Sequence, residues 1–311
     1  MGHRVTVHCP AKVNLGLEVL HRRADGFHEI CTVMQTVDLY DELTLEVVDG
    51  DGSETPVIDV SGPFATEVPA SGNTLLVAWA VAGGNGLPAL KASLAKNIPS
   101  GAGLGGGSSD GAGMLMALRE IELMVGGTGV ITRDPDSAKD TGQTPVPPSL
   151  KVNALRIGSD CPFFLQGGTQ FAEGRGELLT PIDRKLDFHL VVAVPHFGSA
   201  TGPSYAALGR TQQPVTAMLV PQLGRALARG DMELLKASLV SDFERVLHHR
   251  HAGYRRWFDM LASMGAVAVS LTGSGSGFYG LFADAAEAES GLAALAAEPL
   301  RYLGLHRPIG H

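Results

Sequence analysis

Residues 99–110 read Pro99-Ser100-Gly101-Ala102-Gly103-Leu104-Gly105-Gly106-Gly107-Ser108-Ser109-Asp110. Glycine has no Cβ, so a backbone this rich in it can turn sharply and aim several N–H groups at one point. A helical pattern follows, from Gly107 to about Met124. A helix start carries about half a positive charge on its unpaired amides, which suits a phosphate chain. The hydroxyls of Ser108 and Ser109 can donate to phosphate or bind Mg²⁺. The stretch therefore predicts a nucleotide-phosphate site made by Pro99, Gly101, Gly103, Leu104, Gly105, Gly106, Gly107, Ser108 and Ser109. It is not a Walker loop, because no Gly-Lys-Ser/Thr ends it. Gly101, Gly103 and Gly106 do satisfy G-x-G-x-x-G. A dinucleotide fingerprint, however, wants a strand running straight in and an acid about 20 residues on. Pro99 interrupts the approach, and glycine-rich sequence follows Met124. The blander alternative is a turn that serves only tight helix packing.

Outward from this stretch, Val5, Val7 and Cys9 alternate with polar residues, as a strand does. Further strands are expected at 14–20, 30–39, 43–48 and 90–94, with a turn at Asp25-Gly26. Asn73 can cap a helix from Thr74 to about Ala82, stopped by Gly83-Gly84. Residues 126–148 show no period and read as an exposed loop. A helical pattern resumes over 150–157, and 186–194 reads as a buried strand. Helices are expected over 217–229, 232–239, 243–249 and 254–264. Strands at 266–271 and 277–282 flank a second glycine turn, and Asp284 caps a last helix. Strands and helices mix without strict alternation, which makes the chain α+β. The expected domains are 1–180 and 181–311. There is no internal repeat and no heptad pattern.

The 311 residues suffice for two domains of roughly 100–200 residues each. The formal net charge is -8 and no basic stripe is present, which argues against a nucleic-acid partner. The three cysteines, Cys9, Cys31 and Cys161, form no Cys-x-x-Cys pair, which argues against a disulfide framework or a cysteine zinc site. No apolar run approaches the ~18–20 residues that span a bilayer. A cytoplasmic protein is expected.

Other residues carry chemistry with rival readings. Lys12, among apolar strand residues, is by itself an edge-strand lysine. Asp160, in Gly158-Ser159-Asp160-Cys161-Pro162-Phe163-Phe164, is either a turn or cap aspartate or a base facing a cation. Gly273, Ser274 and Gly275 form a hairpin loop or a second wall of the phosphate site. His248-His249-Arg250-His251 read as an exposed helix end, since consecutive residues face apart and no metal site follows from them.

Taken together, these segments resemble the GHMP kinases, the superfamily of galactokinase, homoserine kinase and mevalonate kinase. Pro99–Asp110 is similar to its second motif and Thr272–Gly277 to its third. Pro10–Leu15, Arg22–Ile30 and Gly158–Phe164 resemble one family within it, the 4-diphosphocytidyl-2-C-methyl-D-erythritol kinases of the non-mevalonate isoprenoid pathway. Ala24-Asp25-Gly26-Phe27-His28 is the discriminating segment.

The resemblance implies an N-terminal domain of the ribosomal-protein-S5 type and a ferredoxin-like C-terminal domain, with the active site between them. It implies transfer of the ATP γ-phosphate, with Mg²⁺, to the 2-hydroxyl of the methylerythritol part. Lys12 and Asp160 would be the catalytic pair. Asn73 and Lys96 would lie near the adenine, and Asn14 near the substrate beside Lys12. Phe27 would stack on cytosine, His28 would bond its edge and Phe197 would close that pocket. Gly273, Ser274 and Gly275 would line the substrate side. A monomer or weak homodimer is expected. The chain departs from the family in having Phe27 where Tyr is common, an insertion at 126–148, and Ser276-Gly277 where Pro-Thr is frequent. The rivals are another small-alcohol kinase of the superfamily, and a non-catalytic sensor that keeps the glycine turns.

Overall fold

The computed structural model describes residues 3–50, 52, 54–125, 131–132, 146–184 and 186–310. Most of the expected 126–148 loop lies outside them. The chain forms β1 (Arg4–Arg22), β2 (His28–Val47), β3 (Val57–Ser61), α1 (Thr74–Val81), β4 (Leu90–Ala95), α2 (Gly106–Val125), β5 (Ile131–Thr132), α3 (Pro148–Ile157) and α4 (Cys161–Phe164). There follow β6 (Thr169–Glu173), β7 (Leu178–Pro181), β8 (His189–Pro195), α5 (Thr201–Ala207), α6 (Val220–Arg229), α7 (Met232–Ser238), α8 (Phe243–Arg250) and α9 (Gly253–Ser263). The last elements are β9 (Ala268–Leu271), β10 (Phe278–Phe282), α10 (Ala285–Leu295) and β11 (Leu300–His306).

Two compact units interleave in sequence. One holds Met1–Ala11, Leu39–Ser100 and Gly105–Gln166; the other holds Lys12–Asp38, Gly101–Leu104 and Gly167–His311.

In the first unit β2 pairs antiparallel with β4, from Glu42↔Ala95 to Val47↔Leu90, and β3 runs parallel to β4. Val5 and Thr6 pair in parallel with Ile131 and Thr132. Helix α2 lies close on β1: a Cβ at Gly113 would collide with Cys9 Sγ. Ala112, Met114, Leu115, Ala117, Leu118 and Ile121 of α2 are buried, and residues 109–115 are buried without a break, so the first half of the helix is enclosed on nearly every side. Asn73 caps α1 as expected, its side chain accepting from Leu76 N–H at 3.0 Å.

In the second unit β11, β8, β10 and β9 form an antiparallel sheet in that order. Strand β8 is central, so Leu190–Val194 is buried on both faces and reads as a continuous apolar run. Phe243, Tyr254, Trp257, Phe278 and Phe282 fill the core against it. Strand β6 pairs with the early part of β2, Thr32↔Ala172 to Gln35↔Thr169, and with β7. Asp284 caps α10, accepting from Ala286 and Glu287 N–H at 2.8 and 3.1 Å.

Some expectations change. The strands read at 5–9 and 14–20 are one strand of 19 residues, β1. Pro10 does not end it, because its fixed φ is compatible with extended backbone. The strands read at 30–39 and 43–48 are likewise one, β2, of 20 residues. Strands β3, β5, β6, β7 and β11 and helices α4 and α5 have no counterpart in the sequence reading, β5 falling inside the stretch expected to be a loop. Strand β11 is half-buried along most of its length, so no alternation marks it.

Candidate active site

The glycine-rich turn leaves β4 at Lys96 and enters α2 at Gly106. Gly101, Gly103 and Gly105 hold left-handed backbone, at φ 67, 76 and 74°. Ala102 and Leu104 between them are buried, so the glycines stand outermost. Gly103 meets a second demand: a Cβ there would lie on the carbonyl oxygen of Thr272. The two glycine turns thus touch backbone to backbone. Gly277 N–H donates to Ala102 O at 3.0 Å, and Thr272 Oγ1 donates to Gly103 O at 2.9 Å.

Lys12 and Asn14 are built onto the same pair of turns. Lys12 N–H donates to Leu104 O at 2.9 Å, and its Nζ donates to Asn14 Oδ1 at 2.5 Å. The same Oδ1 accepts from Gly273 N–H at 2.8 Å. Asn14 Nδ2 donates to Thr32 Oγ1 at 2.9 Å, whose own proton goes to Gly16 O at 2.6 Å. Tyr279 OH reaches the carbonyls of Asn14 and Leu15 at 3.2 and 3.1 Å. Lys12 is 3% and Asn14 4% exposed, so the amide orients the ammonium where water is largely excluded. The second turn is fixed on its far side. Tyr254 OH donates to Ser276 O at 2.7 Å and Ser199 Oγ to Ser274 O at 2.9 Å. At Gly275 a Cβ would strike Leu247.

In the first unit the start of α2 gathers two further segments. Thr74 Oγ1 donates to Gly107 O at 2.6 Å, joining the capped end of α1 to that of α2. Asn73 uses both ends of its amide locally, donating to Pro69 O at 2.9 Å besides its cap bond. Ser108 bonds the thiol of Cys161, so the Gly158–Phe164 segment lies against the first turn of α2. Burial pushes the Cys161 thiol up to about 12, helped by the Asp160 and Asp110 carboxylates and opposed by Ser108. Asp160 is half-buried just before α4, and its side chain does not cap that helix. Lys12 belongs to one unit and Asp160 to the other.

Lys96 sits under the turn, 1% exposed, with Nζ 2.5 Å from Asp41 Oδ2 and 2.7 Å from Asp110 Oδ2. Burial works against its charge, but the two carboxylates outweigh that and raise its pKa. Burial pushes the Asp110 carboxyl up to about 7; Lys96 opposes this and Asp41 adds to it. One cation cannot offset two buried carboxylates, and the raised Asp110 carboxyl relieves the excess by holding its proton more readily. The sequence reading missed Asp41, although a signal exists. Asp41 falls on the same strand parity as Leu39, Leu43 and Leu45, which marks it as an inward acid in need of a cation.

The aromatic residues have their own surroundings. Phe27 is 50% exposed, with the Arg175 guanidinium 4.5 Å from its ring centroid. His28 packs on Tyr205 at 4.9 Å; burial, with Arg22 second, lowers its pKa. Phe197 stacks on His251 at 3.7 Å and meets Tyr254 edge-on at 5.7 Å. His248 packs against Tyr254 and Phe258. Among the described residues no group of three or more His, Cys, Asp or Glu gathers as a metal site would. No described helix is long and apolar enough to cross a membrane.

Two family models match the chain, the GHMP kinases N terminal domain over residues 73–128 and the GHMP kinases C terminal over residues 225–300. The chain is 31% identical over 293 residues to the 4-diphosphocytidyl-2-C-methyl-D-erythritol kinase of Fervidobacterium nodosum, covering 91% of this chain and 92% of that one. It is 35% identical over 263 residues to the enzyme of the same name from Saccharopolyspora erythraea, covering 81% and 74%. A crystal structure of 4-(cytidine 5'-diphospho)-2C-methyl-D-erythritol kinase is similar with TM-score 0.66 at 28% identity, covering 97% of this chain and 99% of that one. L. major mevalonate kinase gives a TM-score of 0.70 at 16% identity, covering 98% and 97%. The higher score at the lower identity shows that the backbone is common to the superfamily and does not select among its substrates.

Proposed function

The chain belongs to the 4-diphosphocytidyl-2-C-methyl-D-erythritol kinases within the GHMP kinases, and from that premise we propose that it transfers the γ-phosphoryl group of ATP to the 2-hydroxyl of 4-diphosphocytidyl-2-C-methyl-D-erythritol. The observation that carries this reading is the identity to relatives of that name along most of the chain. The joined glycine turns support it.

Phosphoryl transfer asks mainly for positioning and for charge stabilisation. The amides of Gly101–Gly107 and the start of α2 would hold the ATP phosphates, with Pro99, Leu104, Ser108 and Ser109 completing the cradle. Asn73 would hold the adenine side through the chain entering α1. Lys96, expected near the adenine, spends its buried ammonium on Asp41 and Asp110, so it enters this reading as a cation beside the turn and not as an adenine contact. Asp160 would take the proton of the attacking hydroxyl. Lys12, oriented by Asn14, would keep Asp160 ionised and offset charge on the moving phosphoryl group. Gly273, Ser274 and Gly275 would face the alcohol. Cytosine would stack on the Phe27 face that Arg175 leaves open, His28 would bond the base edge, and Phe197 would bound the pocket.

The donor set fits Mg²⁺ held mainly by phosphate oxygens and water. Ser109 Oγ is buried without a hydrogen-bond partner and would supply a protein oxygen. Bound there, the ion would neutralise phosphate charge. We place the protein in the cytoplasm, as a monomer or weak homodimer acting on small molecules and not on nucleic acid.

The test is ATP consumption by the purified protein with Mg²⁺, comparing the cytidyl alcohol with mevalonate and homoserine. Turnover with the cytidyl compound alone is expected. Turnover with another alcohol would overturn the substrate, and nucleotide binding without turnover on any of them would favour a sensor.

A further inference from the structure

We propose that Asp41, Lys96 and Asp110 form a buried clamp that positions both flanks of the phosphate turn, so that the trio tunes nucleotide binding without touching the nucleotide. The inference rests on the reading of residues 99–109 as the phosphate site.

Each member holds a different part. Asp41 Oδ1 accepts from Asn97 N–H at 2.5 Å and from Ile98 N–H at 2.9 Å, the last two amides before Pro99. Asn97 Nδ2 returns to Tyr40 O at 3.0 Å, so the chain leaving β4 is fixed on both sides of Asp41. Asp110 sits on the first turns of α2, at the far end of the glycine stretch. Lys96 Nζ joins the two carboxylates, closing a segment of 14 residues with one ammonium. The same Nζ lies 3.0 Å from where a Cβ of Gly106 would stand, directly under the helix start. Ile98 crowds the same point, its Cγ2 at 2.9 Å, so a side chain at the first residue of α2 would press on both.

A segment with glycine at 101, 103, 105, 106 and 107 samples many backbone states, and holding one of them costs conformational entropy. Tying both flanks to one point narrows that choice before a nucleotide arrives, which is preorganisation. Core stability alone does not call for this arrangement, since well-packed apolar groups often serve as well as buried ions. The trio is also not satisfied internally: Asp110 Oδ1 has no hydrogen-bond partner, and neither does the adjacent Ser109 Oγ. Two acids sharing one cation, with the other oxygen of Asp41 holding the two amides that enter the turn, fit positioning better than packing.

The test uses two variants: Asp110→Asn, which is nearly isosteric, and the neutral triple Asp41→Asn/Lys96→Met/Asp110→Asn, which leaves no buried charge. Melting temperature, ADP affinity by calorimetry, and KM for ATP and for the alcohol are measured for each. Both variants should fold. ADP affinity should weaken about tenfold or more, within the ~10²-fold that an ångström of misplacement can cost. KM for ATP should rise in parallel, with KM for the alcohol little changed. A folded variant that binds ADP like the wild type would overturn the clamp. If the triple does not fold, Asp110→Asn decides alone by the same comparison. ADP binding is read without turnover, so wild-type protein that binds ADP but phosphorylates no alcohol would count against the substrate and not against the clamp.

Discussion

Replacing Gly103 by alanine tests whether the contact between the two glycine turns organises the site. Two costs can be read from the structure. An L residue at φ 76° is left-handed, which costs about 1–2 kcal/mol. The new methyl would also lie on Thr272 O, and forcing such a contact apart costs a further ~1–3 kcal/mol. Gly101 is the internal control. Its φ is 67°, so the backbone cost is the same, but a Cβ there meets nothing within 4 Å. The difference between the two variants isolates the close approach. For a chain of this size about 1 kcal/mol moves the melting temperature by roughly 2–4 °C. Gly103→Ala should therefore melt about 2–12 °C below Gly101→Ala, by the steric cost converted at that slope. Thermal unfolding by circular dichroism measures it, and kcat follows from ATP consumption in the folded protein. Turnover should fall further in Gly103→Ala, because a displaced Thr272 carries Asn14 and Lys12 with it through their hydrogen bonds. Equal melting temperatures and equal turnover in the two variants would refute the reasoning, since the contact would then carry no energy.

Asn14→Ala removes one acceptor of Lys12 Nζ and the acceptor of Gly273 N–H; stability should drop by about 1–3 kcal/mol, the cost of a buried donor left unpaired at Gly273. Its turnover should fall at least about tenfold as Lys12 loses its orientation, with melting and steady-state kinetics as the checks. Asp160→Asn should lower kcat by about 10²–10⁴-fold while ATP still binds, and near-normal kcat would remove Asp160 from the chemistry. His28 titrates below the ordinary value, so the unfolded chain takes up that proton first. Its contribution to stability is present above about pH 6.5 and is lost as the pH falls below that. KM for the cytidyl substrate should accordingly be flat from about pH 7 to 8 and change only below about 6.5, and His28→Gln should abolish that change.

Local chemistry was the legible part of the chain. Glycine density before a helical pattern marks the turn into α2, and Asn73 and Asp284 announce the helices they cap. Long-range structure was less legible. Pro10 looks like a break in a sequence, yet β1 runs through it. A cut near residue 180 is the natural sequence reading, whereas the compact units interleave because β1 and β2 each pass through both. The bond from Tyr254 OH to Ser276 O joins residues 22 apart, and that from Thr272 Oγ1 to Gly103 O spans 169. No period or spacing announces such pairs. Lys96 shows the limit at a single residue. Sequence places it before the phosphate turn, but only the fold brings Asp41, 55 residues away, onto its ammonium.

The most direct test of the central claim is the phosphorus NMR spectrum of the product formed from ATP and 4-diphosphocytidyl-2-C-methyl-D-erythritol. The carbon bearing the 2-hydroxyl also bears the methyl group and carries no hydrogen. Phosphorylation there predicts ADP, an intact cytidyl diphosphate and one new phosphomonoester signal without three-bond coupling to a carbinol proton. A new signal split by such a proton would place the phosphate on a different hydroxyl, and no new phosphomonoester would contradict the kinase assignment for this alcohol.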